Sequence, residues 1–483
     1  MEGQTSELAP RRRCTASAVS AIALVLAAVL SACSTYHVRS VDIKYSFTQS
    51  DYEDALKRIE NIDRGTSELL YLYEKGLVLH YQNQYVESNE LFERAELLLE
   101  ELYTKSITRE LAALTVTDNI AKYRGESYEA VLVNYFKILN YLYLGDIDGA
   151  LVECRRVNYK LQYLIDTEGV FFTDDPFIQY LTGMVYRIGA EINEADVSFR
   201  VALDEYRELA EDYGTDVPEL LYCDALKTAK LLGDFQAADS VMMYCPQMPP
   251  PEYGTLNLFL ECGFVAHLEE RKVVLPIFKK DDTSDVDAFA EVLAAREGVP
   301  VSSYDGNVKI DYVLKIAMPV LIPTPVPWDR AVVKPIVIPN SVGETQSVSA
   351  ASLGSDGPAF NADVVDNVDA YSAAAFEETY GKVLFRTIVR ALSKYAAKDG
   401  AAKKDEVLGW LVNWFNVATE SADTRCWATL PEKILMSRLV LPVGRYDLSI
   451  DLIDAGGQIV ETIVIEDVSV ESGRTVFLNH RIF

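Results

Sequence analysis

The spacing of apolar residues divides the chain into two parts. Across residues 50–247 apolar side chains recur every three or four positions, which predicts a series of amphipathic helices of similar length. In 252–345 the pattern changes to short runs rich in Val, Ile and Leu, which predicts strands. Residues 363–420 return to a helical period, and residues 421–483 alternate apolar and polar side chains as a β-meander does. The pattern therefore predicts an α+β multidomain protein.

The two strand-rich stretches are expected to form one region. An isolated meander is not stable in water, so residues 421–483 should pack on 252–345. We expect a β-sandwich-like region there, with 363–420 as a helical insertion. Residues 409–418 within that insertion are apolar on every side, with Trp410 and Trp414 one turn apart. Such a helix is usually buried, and contact with a membrane or a partner is the alternative.

Small and aromatic residues recur in the helical half at the offsets of a tetratricopeptide repeat (TPR). Two stretches carry these offsets in full: Gly183, Tyr186, Ala195, Phe199 and Ala202, and Gly76, Leu79, Ser88, Phe92 and Ala95. Weaker copies contain Tyr141, Gly145, Ala150 and Cys154, and Gly233, Ala238 and Met242, while Tyr52 and Ala55 fit a lone second helix. Small residues let paired helices approach closely, and aromatic rings fill the space beside them.

This recurrence predicts a TPR-like α-solenoid across residues 50–247. A generic amphipathic helical array would carry similar residues at similar spacings. The concave face of a solenoid binds extended peptides or partner helices, so we expect a protein partner there.

The N-terminus has the pattern of a secretory signal. Three arginines at 11–13 precede the apolar run 16–30, which is short for a membrane span. The following Leu30-Ser31-Ala32-Cys33 resembles the bacterial lipobox. This resemblance implies that residues 1–32 are a lipoprotein signal peptide, cut between Ala32 and Cys33, and that Cys33 receives acyl chains such as palmitate.

Several further expectations follow from that resemblance. Residues 33–49 would be a tether between the lipid and the helical repeats. Ser34 follows the lipid-bearing cysteine, which by resemblance to the enterobacterial sorting rule implies the outer membrane, with the protein facing the periplasm. Cys154, Cys223, Cys245, Cys262 and Cys426 remain after processing. Cys223 with Cys245 and Cys245 with Cys262 are the nearest candidate disulfides, but burial as small apolar residues is preferred for most.

Charge and motif content limit the classes of function. The 73 acidic and 45 basic side chains give a net charge of -28, which opposes nucleic-acid binding and favours a basic protein partner. Only four histidines occur, and no catalytic, metal-binding or phosphate-binding motif is present. We therefore expect no enzyme activity, metal or cofactor. A carboxylate pair for glycoside hydrolysis stays open, because sequence gives no distances.

Two stretches resemble a family of uncharacterised bacterial lipoproteins with a TPR-like N-terminal half and a β-rich C-terminal half. They are YRGESYEAVLVNYFKILNYLYLGDIDGALVECRRVN and ESADTRCWATLPEKILMSRLVLPVGRYDL. The most distinctive element comprises Asp423, Thr424, Arg425, Trp427, Leu430 and Pro431, with Cys426 as a departure from the pattern. Asp423 and Arg425 could form a ligand clamp, but a structural salt bridge covered by Trp427 is the preferred interpretation.

The family resemblance brings no known activity or ligand. Members often occur beside lipoproteins that activate peptidoglycan synthases, which implies a role in the cell envelope. The sequence therefore predicts a lipid-anchored scaffold that binds a protein partner in peptidoglycan or outer-membrane biogenesis. A glycan-binding or peptidoglycan-binding lipoprotein is the alternative, and a carboxylate-based hydrolase is the least favoured.

Overall fold

A computed structural model describes residues 36–104, 121–168, 175–245, 253–281, 285–299, 309–338, 358–402 and 421–483. The predicted signal peptide, with Ala32 and Cys33, lies outside these residues, as do Trp410 and Trp414.

Within the described part of the chain, the N-terminal half consists of five helical hairpins. Their helices are α1 (Tyr36–Thr48) with α2 (Tyr52–Ile59), α3 (Arg64–Tyr81) with α4 (Tyr85–Thr104), α5 (Ser127–Tyr143) with α6 (Ile147–Glu168), α7 (Pro176–Ile188) with α8 (Ile192–Tyr213), and α9 (Glu219–Leu232) with α10 (Phe235–Val241). A short 3-10 helix, Met242–Tyr244, ends the array. Successive hairpins pack on one another, as in a TPR-like solenoid.

Side chains at the turns explain where several helices begin. Asp51, Asp63, Asp175 and Asp234 each precede a helix and accept a hydrogen bond from a backbone N–H of its first turn. These bonds satisfy donors that have no partner inside the helix. Gly233 ends α9 with a φ of 74°, a left-handed conformation that a side chain at this position would disfavour.

The C-terminal half contains nine strands and two helices within the described residues. They are β1 (Gly254–Cys262), β2 (His267–Phe278), α11 (Val286–Ala294), β3 (Ile310–Ile322), β4 (Arg330–Val337), β5 (Phe360–Asp366), α12 (Val368–Ala402), β6 (Lys433–Leu441), β7 (Gly444–Ile453), β8 (Ile459–Val470) and β9 (Thr475–Ile482). Seven strands form one sheet in the order β8-β7-β4-β5-β6-β1-β9. Strand β1 pairs antiparallel with β6 and parallel with β9.

Strand β1 shows how this sheet is buried on both faces. Its side chains alternate, so Phe259 joins the core shared with the helices, whereas Leu258 and Leu260 join a second core. That second core also contains Ile450 of β7 and Trp328. The sheet thus packs one face on the solenoid and encloses a core of its own on the other.

The remaining strands form a separate small layer. β2 and β3 make a long antiparallel hairpin, and α11 and α12 pack on it. Leu275, Ile316, Phe289 and Ile388 are central residues of this third core.

The expected β-sandwich is not what the hydrogen bonds show. Strand β5 bonds to β4 on one side and to β6 on the other, so β1 and β4 of 252–345 join the four strands of 421–483 in one sheet. β5 falls at the start of the expected helical insertion 363–420, and the helix begins only at Val368. Ala362 joins the core of the sheet and Val365 joins the core shared with the helices, so burial on both faces explains the strand. Helix α11 was also not predicted.

The structure also corrects the prediction that residues 33–49 are a tether. Residues 36–48 form α1, which pairs with α2 and buries Ile43 and Phe47 completely. Tyr52 and Ala55 therefore do not lie on a lone second helix. The expectation of a tether was wrong because α1 mixes apolar and polar residues without a strong period.

The cysteines divide into one pair and three buried thiols in the described region. Cys223 of α9 and Cys245 form a disulfide that closes the last hairpin, which was one of the two candidate pairs. Cys154, Cys262 and Cys426 are free and buried.

Candidate functional site

The two strongest sequence repeats form close helix contacts. A Cβ atom added to Gly76 would stand 2.7 Å from the Phe92 ring, and one added to Gly183 would stand 2.5 Å from the Phe199 ring. Buried residues of the same two hairpins include Leu79, Ser88, Ala95, Tyr186, Ala195 and Ala202, and Ala238 is buried in the last hairpin. Glycine is therefore required where α3 meets α4 and where α7 meets α8.

The third repeat packs with a different glycine. Tyr141 lies against Gly149, where an added Cβ would stand 2.4 Å from the ring, whereas Gly145 forms the turn with a φ of 71°. Ala150 and Cys154 are completely buried. Met242, assigned from sequence to the last repeat, is exposed in the terminal 3-10 helix.

The distinctive element of the sequence lies on the inner face of the solenoid. We define residues 421–432 as the insert segment. Its Trp427 is completely buried, and its ring stacks on Tyr73 of α3 at 4.5 Å between centroids. Phe92 and Phe136 lie 6.0 and 6.2 Å from the same ring. The insert segment thus contacts three helices of the array, where a peptide ligand was expected.

Two buried carboxylates bind the backbone and hydroxyl groups of the insert segment. Glu129 of α5 accepts hydrogen bonds from the Trp427 N–H at 2.6 Å and from the Tyr123 hydroxyl at 2.8 Å. Glu74 of α3 accepts one from the Thr429 hydroxyl and another from the Tyr36 hydroxyl at 2.5 Å. These bonds satisfy polar groups that would otherwise be costly to bury.

Burial dominates the acidity of both carboxyl groups. It raises the pKa of Glu74 to about 7, although the hydroxyls of Thr429 and Tyr36 act in the opposite direction. Burial likewise raises the pKa of Glu129 to about 7, against the lowering by the Trp427 N–H and the Tyr123 hydroxyl. The attachment of the insert segment therefore involves two groups that titrate near neutral pH.

Asp423 and Arg425 form a salt bridge, with 2.6 Å between Arg425 Nη2 and Asp423 Oδ2. Arg425 Nη1 also donates to the carbonyl of Thr66 at 2.9 Å, and its guanidinium lies over the Tyr123 ring. Trp427 stacks on Tyr73 and not over this pair. Thr424 and Leu430 are buried and Pro431 continues the segment, so the element joins the two halves of the protein.

A second polar network joins helices to the sheet around Glu261 of β1. This completely buried carboxylate accepts from the hydroxyls of Tyr81 and Tyr135 at 2.5 and 2.8 Å, and from Asn479 Nδ2 at 2.8 Å. Asn479 Nδ2 also donates to His80 Nε2 at 2.9 Å, so the His80 proton lies on Nδ1, facing Asn140 Oδ1. Burial lowers the pKa of His80. This histidine and carboxylate are buried, and both take part in contacts between the helices and the sheet.

Ion pairs also join the helices to one another and to the sheet. Asp224 of α9 pairs with Arg187 of α7 and with Arg438 of β6, the latter at 2.8 Å, and also accepts from the Tyr180 hydroxyl. Burial acts against ionisation of Asp224, but the two guanidinium groups outweigh it and lower its pKa. Lys137 is likewise enclosed by Glu93, Glu96 and Glu153 at 2.5 to 2.9 Å. In both clusters each buried charge lies beside at least one charge of opposite sign.

These contacts correct the expected binding surface. The inner sides of α3, α5 and α7 are covered by the insert segment and by β1, β6 and β9 of the same chain. Two tyrosines of the repeats are also packed inside the array, since Tyr186 is buried and Tyr141 packs on Gly149. The expectation of an open concave face was wrong because the sequence did not show that the β-rich half supplies its own occupant.

Exposed apolar residues cluster instead at the last hairpin. Phe235 of α10 is 75% exposed and Met243 of the 3-10 helix is 80% exposed. Leu231, Leu232 and Tyr244 are also exposed. We call these residues, with Met242, the terminal patch. A solenoid normally covers its last repeat with polar residues, so an apolar end is a candidate contact surface.

A small depression of about 160 Å³ lies among Asp196, Arg207, Ala229 and Val241 near the last hairpins, below the usual size of a ligand pocket. Within the described ranges, His, Cys, Asp and Glu side chains form no group of three or more that could hold a metal ion. No helix among the described residues has the length and apolar character needed to cross a membrane.

The carboxylates that attach the insert segment and β1 to the helices were not identified from the sequence. Glu74 lies in LLYLYEKGLVL, Glu129 in SYEAVLVNYF and Glu261 in LNLFLECGFV. In each case one acidic residue interrupts an apolar run, which was the available signal that a buried carboxylate has a fixed partner.

The chain matches no known protein-family model and no curated protein sequence. Among solved structures it is similar to the apo form of RapI, with 12% identity and a TM-score of 0.31 over 43% of this chain and 67% of that one. It is also similar to BtubC from P. vanneervenii, with 14% identity and a TM-score of 0.30 over 49% and 91%. The type IV pilus biogenesis factor PilW gives 15% identity and a TM-score of 0.23 over 43% and 90%.

Proposed function

We propose that this protein is a lipid-anchored scaffold of the bacterial cell envelope, and that it binds a protein partner through the terminal patch. The observation that carries the proposal is the exposure of Phe235, Met243 and Leu231 at the end of the helical array. Aromatic and Met side chains are enriched in protein interfaces, and Met adapts to irregular surfaces. The net charge of -28 favours a partner with basic segments around its contact surface.

The lipid anchor of the proposal rests on the lipobox-like Leu30-Ser31-Ala32-Cys33. Labelling cells with a clickable palmitate analogue tests it. We expect label on the wild-type chain and none on Cys33→Ser, which should also keep the unprocessed mobility of the precursor. Equal labelling of both chains would contradict the anchor. Outer-membrane placement is tested separately by fractionating envelopes on a sucrose gradient, where recovery in the inner-membrane fraction would contradict it.

Partner binding is tested by chemical crosslinking and pull-down from envelopes, followed by identification of the captured proteins. The variant Phe235→Ser with Met243→Ser removes the two most exposed side chains of the terminal patch. Val152→Ser with Val197→Ser is the matched control, because both valines are exposed on helices elsewhere in the array. We expect a protein that is captured by wild type and control and lost from the patch variant. Identical captured proteins in all three would refute the terminal patch as the contact surface.

A further inference from the structure

The first helix has two apolar faces, and only one of them is covered. Ile43 and Phe47 face the core and are completely buried. Val38, Val41 and Tyr45 face outward and are 55%, 54% and 63% exposed. Their spacing of three and four residues places them on one stripe of α1. The outer face of a solvated helix normally carries charged side chains, so this stripe is a candidate contact surface.

The position of α1 in the chain indicates which surface that is. Tyr36 begins the helix three residues after Cys33. Three residues span at most about 11 Å even when fully extended. The polar layer on each side of a bilayer is roughly 5 to 8 Å thick. If Cys33 carries acyl chains, α1 therefore begins at the surface of the membrane that holds them.

The charges around the stripe are compatible with a lipid surface. The acidic residue of α1, Asp42, lies 3.3 Å from the guanidinium of Arg58. The two basic side chains are held within the fold, since Arg39 donates to the carbonyl of Asn61 and the Lys44 ammonium lies over the Phe264 ring. The stripe itself carries Tyr45, and tyrosine is enriched at membrane interfaces.

We propose that Val38, Val41 and Tyr45 rest in the headgroup region of the bilayer that holds the Cys33 lipid. This inference rests on the lipid anchor of the proposed function and adds a second membrane contact. Because α1 packs in the first hairpin through Ile43 and Phe47, the contact fixes the orientation of the helical array on the membrane. A lipid alone would leave that orientation free.

Photocrosslinking from single positions tests the proposal. The photoreactive residue p-benzoylphenylalanine replaces Val41 in the mature chain beginning at Cys33. The matched control carries it in place of Val197, a helical valine with the same exposure of 54%. Cys33 is coupled to a maleimide-headgroup phospholipid in vesicles of phosphatidylethanolamine and phosphatidylglycerol. The free cysteines of the described region are buried and do not compete for coupling.

We expect a phospholipid adduct at position 41 with a yield several-fold above that at position 197, and a reduced yield when Tyr45→Glu is added. Equal yields at the two positions would overturn the proposal. Covalent dimers at position 41 would overturn it in favour of a second copy of the chain. Coupling through maleimide separates the two outcomes. Absence of palmitate labelling in cells would contradict the anchor on which the inference rests, whereas equal crosslinking yields would overturn the membrane contact of α1 and leave the anchor intact.

Discussion

Replacing Trp427 with alanine tests whether the helical array and the sheet fold as one unit. The Trp427 ring is completely buried and lies within about 6 Å of three aromatic rings from α3, α4 and α5. Truncation of a buried aromatic residue costs about 4 kcal/mol, or roughly a thousandfold in the unfolding equilibrium. Because the insert segment joins both halves, we expect the whole described protein to lose this stability.

Urea denaturation followed by far-ultraviolet circular dichroism measures the change. Hydrogen exchange of peptides from α7 and β7 reports the two halves separately, because neither element contacts the Trp427 ring through a stacked aromatic contact. We expect exchange by global unfolding to accelerate by the same factor in both peptides. Phe235→Ala is the control, since this ring is exposed and its loss should change stability by no more than about 0.5 kcal/mol. Acceleration in α7 with an unchanged β7 would refute cooperative folding of the two halves.

Three further predictions concern stability. The pKa of Glu74 and of Glu129 is raised to about 7 in the folded state, so their contribution to stability is present below their ordinary pKa and is lost as pH rises through 7. The free energy of unfolding in urea should therefore fall between about pH 5 and about pH 8, and the fall should be about 3 kcal/mol smaller in Glu129→Gln. An equal slope in that variant would exclude Glu129 as a source of the pH dependence. Gly183→Ala should lower the midpoint of urea unfolding, at a cost of about 1 to 3 kcal/mol, because it forces a Cβ atom onto the Phe199 ring. Gly381→Ala in α12 is the control and should not lower it, since no atom lies within 4 Å of the new Cβ. An unchanged midpoint in Gly183→Ala would contradict the close packing. Replacing Cys223 and Cys245 with serine should cost about 2 to 4 kcal/mol and increase hydrogen exchange in α9 and α10 most, and unchanged exchange there would contradict a structural role for this disulfide.

The parts of the fold that depend on local sequence could be predicted. Gly183 and Phe199 lie 16 residues apart, and their types alone indicate two helices in close contact. The strands β7, β8 and β9 follow from alternation and a short turn within one stretch of chain. Such contacts join residues that are near each other in sequence, so a short stretch of the sequence is enough to predict them.

The contacts that determine the candidate site join distant parts of the chain. β1 pairs with β9 across more than 200 residues, and Trp427 stacks on Tyr73 across a larger separation still. Nothing in the periodicity of either segment identifies its partner, because many apolar surfaces of the right size were available. The only sequence signal for Glu74 and Glu129 was that each is an acidic residue within an apolar run. The concave face was therefore expected to be open, although the insert segment covers it.

The central claim is that the chain covers its own concave face and binds a partner at the end of the array. Photocrosslinking in intact cells tests it most directly, with p-benzoylphenylalanine in place of Phe235 or, as a control, in place of Val197. The account predicts an adduct with one identifiable protein at position 235 and none at position 197. Adducts at neither position, or the same adducts at both, would contradict it.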